Sequence, residues 1–91
     1  MNELKQYREQ LDLIDYKIIK LFEKRMAVIK DVAIYKKANN LAIYDKTREM
    51  IMLEKNINKF DNDELRKYYK IILEAYLEAS KQYQNDLIHK K

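Results

Sequence analysis

The 91 residues include neither glycine nor proline. Glycine supplies the positive-φ positions of tight hairpins and phosphate-cradling loops, and proline supplies stiff turns and sharp helix stops. A chain lacking both is left with helices joined by short polar connections. Its composition permits this: 47% hydrophobic and 37% charged residues describe a folded chain with a modest core rather than a disordered one, and the length suits one domain.

Several function classes drop out early. With no cysteine there is no disulfide, thiol nucleophile or thiolate metal site, and the lone His89 cannot assemble a metal site with its own kind, so no cofactor and no metal are expected. The opening MNELKQYREQ is charged, and no stretch approaches the roughly 18 apolar residues of a membrane span, so a cytoplasmic location is the expectation. A net charge of +4 could suit an acidic partner, yet the basic residues are interleaved with fifteen acids along the whole chain. That is the pattern of a solvated surface rather than of a nucleic-acid footprint.

From about Asn2 to Asn39 the apolar residues recur in a heptad-like pattern, through Leu4, Tyr7, Leu11, Ile14, Ile18, Leu21, Val28, Val32 and Tyr35. This predicts one long amphipathic helix. A short helix is predicted to open on the N-cap Asp45 and to run through Ile51, Leu53 and Ile57. FDNDE at 60–64 reads as a turn and a cap, and a medium helix follows to about Ile88 with Leu65, Tyr69, Ile72, Tyr76, Ala79 and Tyr83 on one stripe. The long helix would measure roughly 55 Å, whereas a compact chain of this size has a radius of gyration of about 12 Å. Its apolar face therefore calls for a second copy, and an intertwined or crossing homodimer is expected.

Lysine is the default cation here, so the arginines are informative: a planar guanidinium grips a carboxylate or phosphate through two parallel hydrogen bonds. Arg25 interrupts the apolar stripe between Leu21 and Val28, on a broad face shared by Arg8, Asp15, Phe22, Ile29, Val32 and Lys36. A partly buried cation needs a counter-charge, which could be Asp15, a glutamate or a ligand. Arg25 and Lys36 are about 16 Å apart along the axis and can converge on one small anion. Arg8 lies about 26 Å from Arg25 and can join them only across a dimer. Asp45-Lys46-Thr47-Arg48-Glu49 opens the short helix, where taken alone it reads as ordinary capping ahead of ligand binding. Ser80 and Gln84 share one face beside Tyr76, Leu77 and Tyr83, as in a ligand cavity or as an exposed polar pair.

Taken together, YREQLDLIDYKIIKLFEKR, the lysine eleven residues after Arg25, YDKTREM and the Ser-x-x-x-Gln near the C-terminus resemble the AroQ-class chorismate mutases, the all-helical type II family. The resemblance covers essentially the whole chain, so 1–91 would be a single chorismate mutase domain. It implies an all-α intertwined homodimer, three helices per subunit, converting chorismate to prephenate on the route to phenylalanine and tyrosine. By the same resemblance, Arg25 and the second copy's Arg8 would grip the two carboxylates, and Lys36 would bridge a carboxylate and the ether oxygen. Gln84 would donate to that oxygen, Glu49 would accept from the ring hydroxyl, and Asp45, Arg48 and Ser80 would complete the polar lining, with Val32 and Leu77 as apolar walls. Two alternatives stand beside this. One is an isochorismate pyruvate lyase on the same fold; the other is a non-catalytic helical dimer, regulatory or nucleic-acid-binding.

Overall fold

A computed structural model describes residues 2–89. The chain forms α1 (Asn2–Ala38), α2 (Lys46–Ile57) and α3 (Asp63–His89), with no strand among the described residues. The all-α expectation of one long, one short and one medium helix therefore holds.

Each helix ends where local chemistry ends it. Asn40 adopts φ 54°, and its N–H and that of Leu41 donate to the carbonyls of Lys37 and Lys36 at 3.4 and 2.8 Å. This is the left-handed closure usually made by glycine; asparagine is the residue that tolerates it when glycine is missing. α2 opens on Asp45, whose extended backbone and carboxylate cap the helix by accepting the Arg48 N–H at 3.0 Å. Before α3 the chain turns through 60–62. There Arg66 donates twice to the Phe60 carbonyl, at 3.1 and 2.6 Å, and pairs with Asp63 at 3.2 Å. The fourth arginine thus serves a turn.

α3 is the platform. Both other helices pack on it, while α1 and α2 do not pack on each other. Only the C-terminal part of α1 takes part: Phe22 stacks on Tyr76, and Arg25, Met26, Ile29, Val32, Ala33 and Lys36 are more than half buried, whereas residues 2–21 are exposed throughout. Ala33 and Leu73 are the buried apolar side chains, so a single copy has almost no core. The apolar row Leu4, Tyr7, Leu11, Ile14, Ile18 and Leu21 continues, unpartnered, the face that α3 covers further along. The radius of gyration is 16.7 Å and the long axis 57 Å, well beyond the roughly 12 Å radius of a compact chain.

In α3 the buried row runs through Leu73, Ser80 and Gln84, displaced from the stripe expected from the sequence. Leu65 and Ile72 of that stripe are 46% and 48% exposed. The helix carries apolar residues on adjacent rows, and contact with α1 and α2 selects the row that includes Leu73. No described helix is long and apolar enough to cross a membrane.

Candidate active site

Because α1 and α2 stand apart on α3, a gap remains between them, and it is floored by α3. This is a cavity of about 530 Å³, within the size range of small-molecule sites. Helix α1 contributes Arg25, Val32 and Lys36, the start of α2 contributes Asp45, Arg48 and Glu49, and α3 contributes Leu77, Ser80 and Gln84. Seven of the eight residues singled out in the sequence as ligand-binding thus meet in one place. The eighth, Arg8, lies on the exposed stretch of α1 and does not reach this cavity within its own chain.

Each polar group is held in a definable way. Arg25 donates from Nη1 to the Ser80 hydroxyl, which in turn donates to the Tyr76 carbonyl at 2.8 Å. The guanidinium carbon also lies 5.6 Å from the centre of the Tyr76 ring, a cation–π distance, and Tyr76 stacks on Phe22. One N–H thus goes to Ser80 while the guanidinium keeps further donors of its five. Lys36 Nζ donates to the Ile43 carbonyl at 3.0 Å, which draws the connection before α2 over the end of α1. Gln84 is 5% exposed, and its buried Oε1 has no hydrogen-bond partner. An unsatisfied amide in a low-dielectric cavity is costly unless something arrives to satisfy it.

The charges do not cancel. Arg25, Lys36 and Arg48 form no ion pair with any carboxylate among the described residues, so Asp15 does not neutralise Arg25 within its own chain. Glu49 is paired, through Oε1, with Lys81 Nζ at 3.4 Å. Burial works against a charge on Lys81, but the carboxylates of Glu49 and Glu78 outweigh it and hold its pKa above the ordinary lysine value. Glu78 lies below the usual carboxylate range because Gln82 hydrogen-bonds to it and Lys81 stands beside it. Counting Arg25, Lys36, Arg48 and Lys81 against Asp45 and Glu49, the lining carries two more positive than negative charges. That matches a dianion.

Lys81, Met52, Asn56 and Ile43 line the cavity and were not singled out in the sequence. Lys81 had a usable signal: it lies four residues after Leu77 and three before Gln84, hence on the same face of α3. Among the described residues no three of His, Asp and Glu gather as a metal site requires.

The comparisons with known proteins agree with this geometry. Residues 7–85 match the family described as chorismate mutase type II. The chain is also 32% identical, over 89 residues, to a bifunctional chorismate mutase/prephenate dehydratase of Buchnera aphidicola subsp. Schizaphis graminum (strain Sg). That similarity takes in 92% of this chain and 23% of the relative, so the chain spans about a quarter of the relative's length. No solved structure matches. The match of 7–85 takes in every residue of the cavity as well as Arg8, and the chain belongs to the type II chorismate mutase family.

Proposed function

We propose that this chain catalyses the rearrangement of chorismate to prephenate in phenylalanine and tyrosine biosynthesis, as a single catalytic domain working in a homodimer. The observation that carries the proposal is the cavity itself: three cations without carboxylate partners among the described residues and one buried amide oxygen left unsatisfied, facing a space sized for a small ligand. Chorismate carries two carboxylates, a hydroxyl and an ether oxygen. The net charge of the lining complements the first, and Glu49, Lys36 and Gln84 offer an acceptor and donors for the rest.

The chemistry asks little of such a site beyond shape and charge. In a [3,3] rearrangement the ether C–O bond breaks as a C–C bond forms, all atoms are retained, and no proton need move. Arg25 and Lys36 hold the carboxylates so that the reacting carbons approach, which removes much of the entropic part of the barrier. Negative charge develops on the ether oxygen as its bond lengthens. Lys36 and Gln84 donate to it there, and donors fixed in advance stabilise a transition state without reorganising. A primary amide has two nearly isosteric ends, so a half-turn of Gln84 presents Nε2 where Oε1 now lies.

Two observations support the dimer. The unpartnered row from Leu4 to Leu21 leaves about half of each side chain in water, and covering it is worth about 1 kcal/mol per residue. A small apolar hollow of about 180 Å³, lined by Ile18, Leu21, Phe22, Arg25 and Tyr76, shares Arg25 with the main cavity and lies along the same row. If two α1 helices cross antiparallel near Ile18, Arg8 of each copy arrives beside the Arg25–Lys36 segment of the other, and both sites are completed by symmetry. A cytosolic location goes with this reading and is tested by cell fractionation.

Purified protein supplied with chorismate should yield prephenate. Supplied with isochorismate, it should yield no salicylate or pyruvate; the reverse outcome would replace the mutase by the lyase.

A further inference from the structure

Lys81 is the one cavity cation that is ion-paired among the described residues, and the reaction outlined above gives it no task. Its ammonium lies 3.4 Å from Glu49 Oε1, 3.5 Å from Glu78 Oε2 and 4.5 Å from the centre of the Tyr44 ring. These partners sit on α2, on α3 and on the connection before α2, so Lys81 joins all three at one edge of the cavity. Glu49 lines the cavity and Glu78 does not. The Lys81 and Glu49 side chains are only 28% and 20% exposed, so their attraction is screened less than that of a surface pair.

A carboxylate is an awkward group in a pocket that takes up a dianion, because like charges repel and do so more strongly as water leaves. A neutral acceptor would avoid the conflict; a carboxylate is compatible only beside its own cation. The other cavity cations do not fill that role. Arg25 is engaged by Ser80 and Tyr76, Lys36 by the Ile43 carbonyl, and Arg48 forms no ion pair among the described residues.

We propose that Lys81 is a positioning residue, the counter-cation that orients the Glu49 carboxylate and makes it compatible with a doubly negative substrate. This rests on reading the cavity as a chorismate site. Lys81 itself touches no reacting atom. It leaves Glu49 able to accept from the ring hydroxyl while removing the repulsion that its charge would otherwise exert.

Lys81→Met keeps the stem and removes the charge. The predicted result is a KM raised about tenfold with kcat within about threefold, since the lost term acts on ground state and transition state alike. Lys81→Arg restores KM. In the Glu49→Gln background Lys81→Met raises KM no further, because the charge it offsets is gone. Circular dichroism melts establish that each variant is folded, and Lys81→Gln carries the same test should Lys81→Met not fold. An unchanged KM in a folded Lys81→Met protein overturns the assignment, as does an equal rise in the Glu49→Gln background. Wild-type protein without turnover removes the chorismate reading and this inference with it, whereas wild-type turnover beside an unchanged variant KM removes Lys81 alone.

Discussion

Arg8→Ala and Arg25→Ala should each be nearly inactive alone, yet a reassorted mixture of the two should recover about a quarter of wild-type activity. The two arginines lie on one unbroken helix, Asn2–Ala38, and seventeen residues at 1.5 Å each separate them by about 26 Å, several times the reach of an arginine side chain. If both act on one substrate, they come from different copies. Removing either deprives a substrate carboxylate of a charge-assisted hydrogen-bonding partner, a loss of about a hundredfold or more when the contact also orients the reacting conformer. Random reassortment makes about half of the dimers mixed, and in each mixed dimer one of the two sites keeps both arginines while the other loses both. The assay is to unfold and refold the two variants together and separately, and to follow chorismate consumption with the product identified. A mixture no more active than its components, with exchange verified by mass spectrometry, would refute the shared site. So would normal kcat/KM in Arg8→Ala.

Other expectations follow from the same geometry. Lys36→Ala, folded, should lose at least about a hundredfold in turnover; near-normal turnover would remove Lys36 from the mechanism. Activity should be nearly flat from about pH 5.5 to 8.5. The raised pKa of Lys81 means that its contribution is complete below about 10.4 and fades only as pH rises through the higher folded value, while the lowered pKa of Glu78 means that its contribution is complete above about 4.3 and fades as pH falls. A steep loss between pH 5.5 and 7.5 with the fold intact would reveal a titrating group in the reaction. Asn40→Val should destabilise by about 1–2 kcal/mol, because a β-branched residue at φ 54° is penalised, whereas Asn40→Gly should be neutral or better; thermal melts decide.

The helices were legible in the sequence to within a residue or two. Asp45 marks the start of α2, and the 60–64 segment marks the start of α3, through chemistry that is local and therefore visible. Arg25 and Lys36 were legible for a different reason: a cation on an apolar stripe stands out wherever the chain goes, whereas Asp45, Arg48, Glu49, Ser80 and Gln84 were singled out as ligand-binding only once the combined spacing resembled a known family. Lys81 did not stand out. It is one of nineteen basic residues, and although its spacing puts it on the face of Leu77 and Gln84, its partner Glu49 lies on another helix, so nothing local marks it as paired. The inward row of α3 was misplaced for a related reason. Ile72 and Leu73 head two adjacent rows that are both apolar, so periodicity cannot separate them, and only contact with the neighbouring helices chooses between the two.

The gap between α1 and α2 has a consequence for how the molecule behaves when empty. The two helices share no packing of their own and are related through α3 and through the connection that Lys36 holds by the Ile43 carbonyl. A ligand seated between them would act as mortar, supplying a cross-link absent from the empty fold. Occupancy and rigidity should then rise together: ligand at a hundred times its Kd adds about 2.7 kcal/mol to the stability of the folded state. Slowed amide exchange should appear first in α2, whose packing within the chain is with α3 alone.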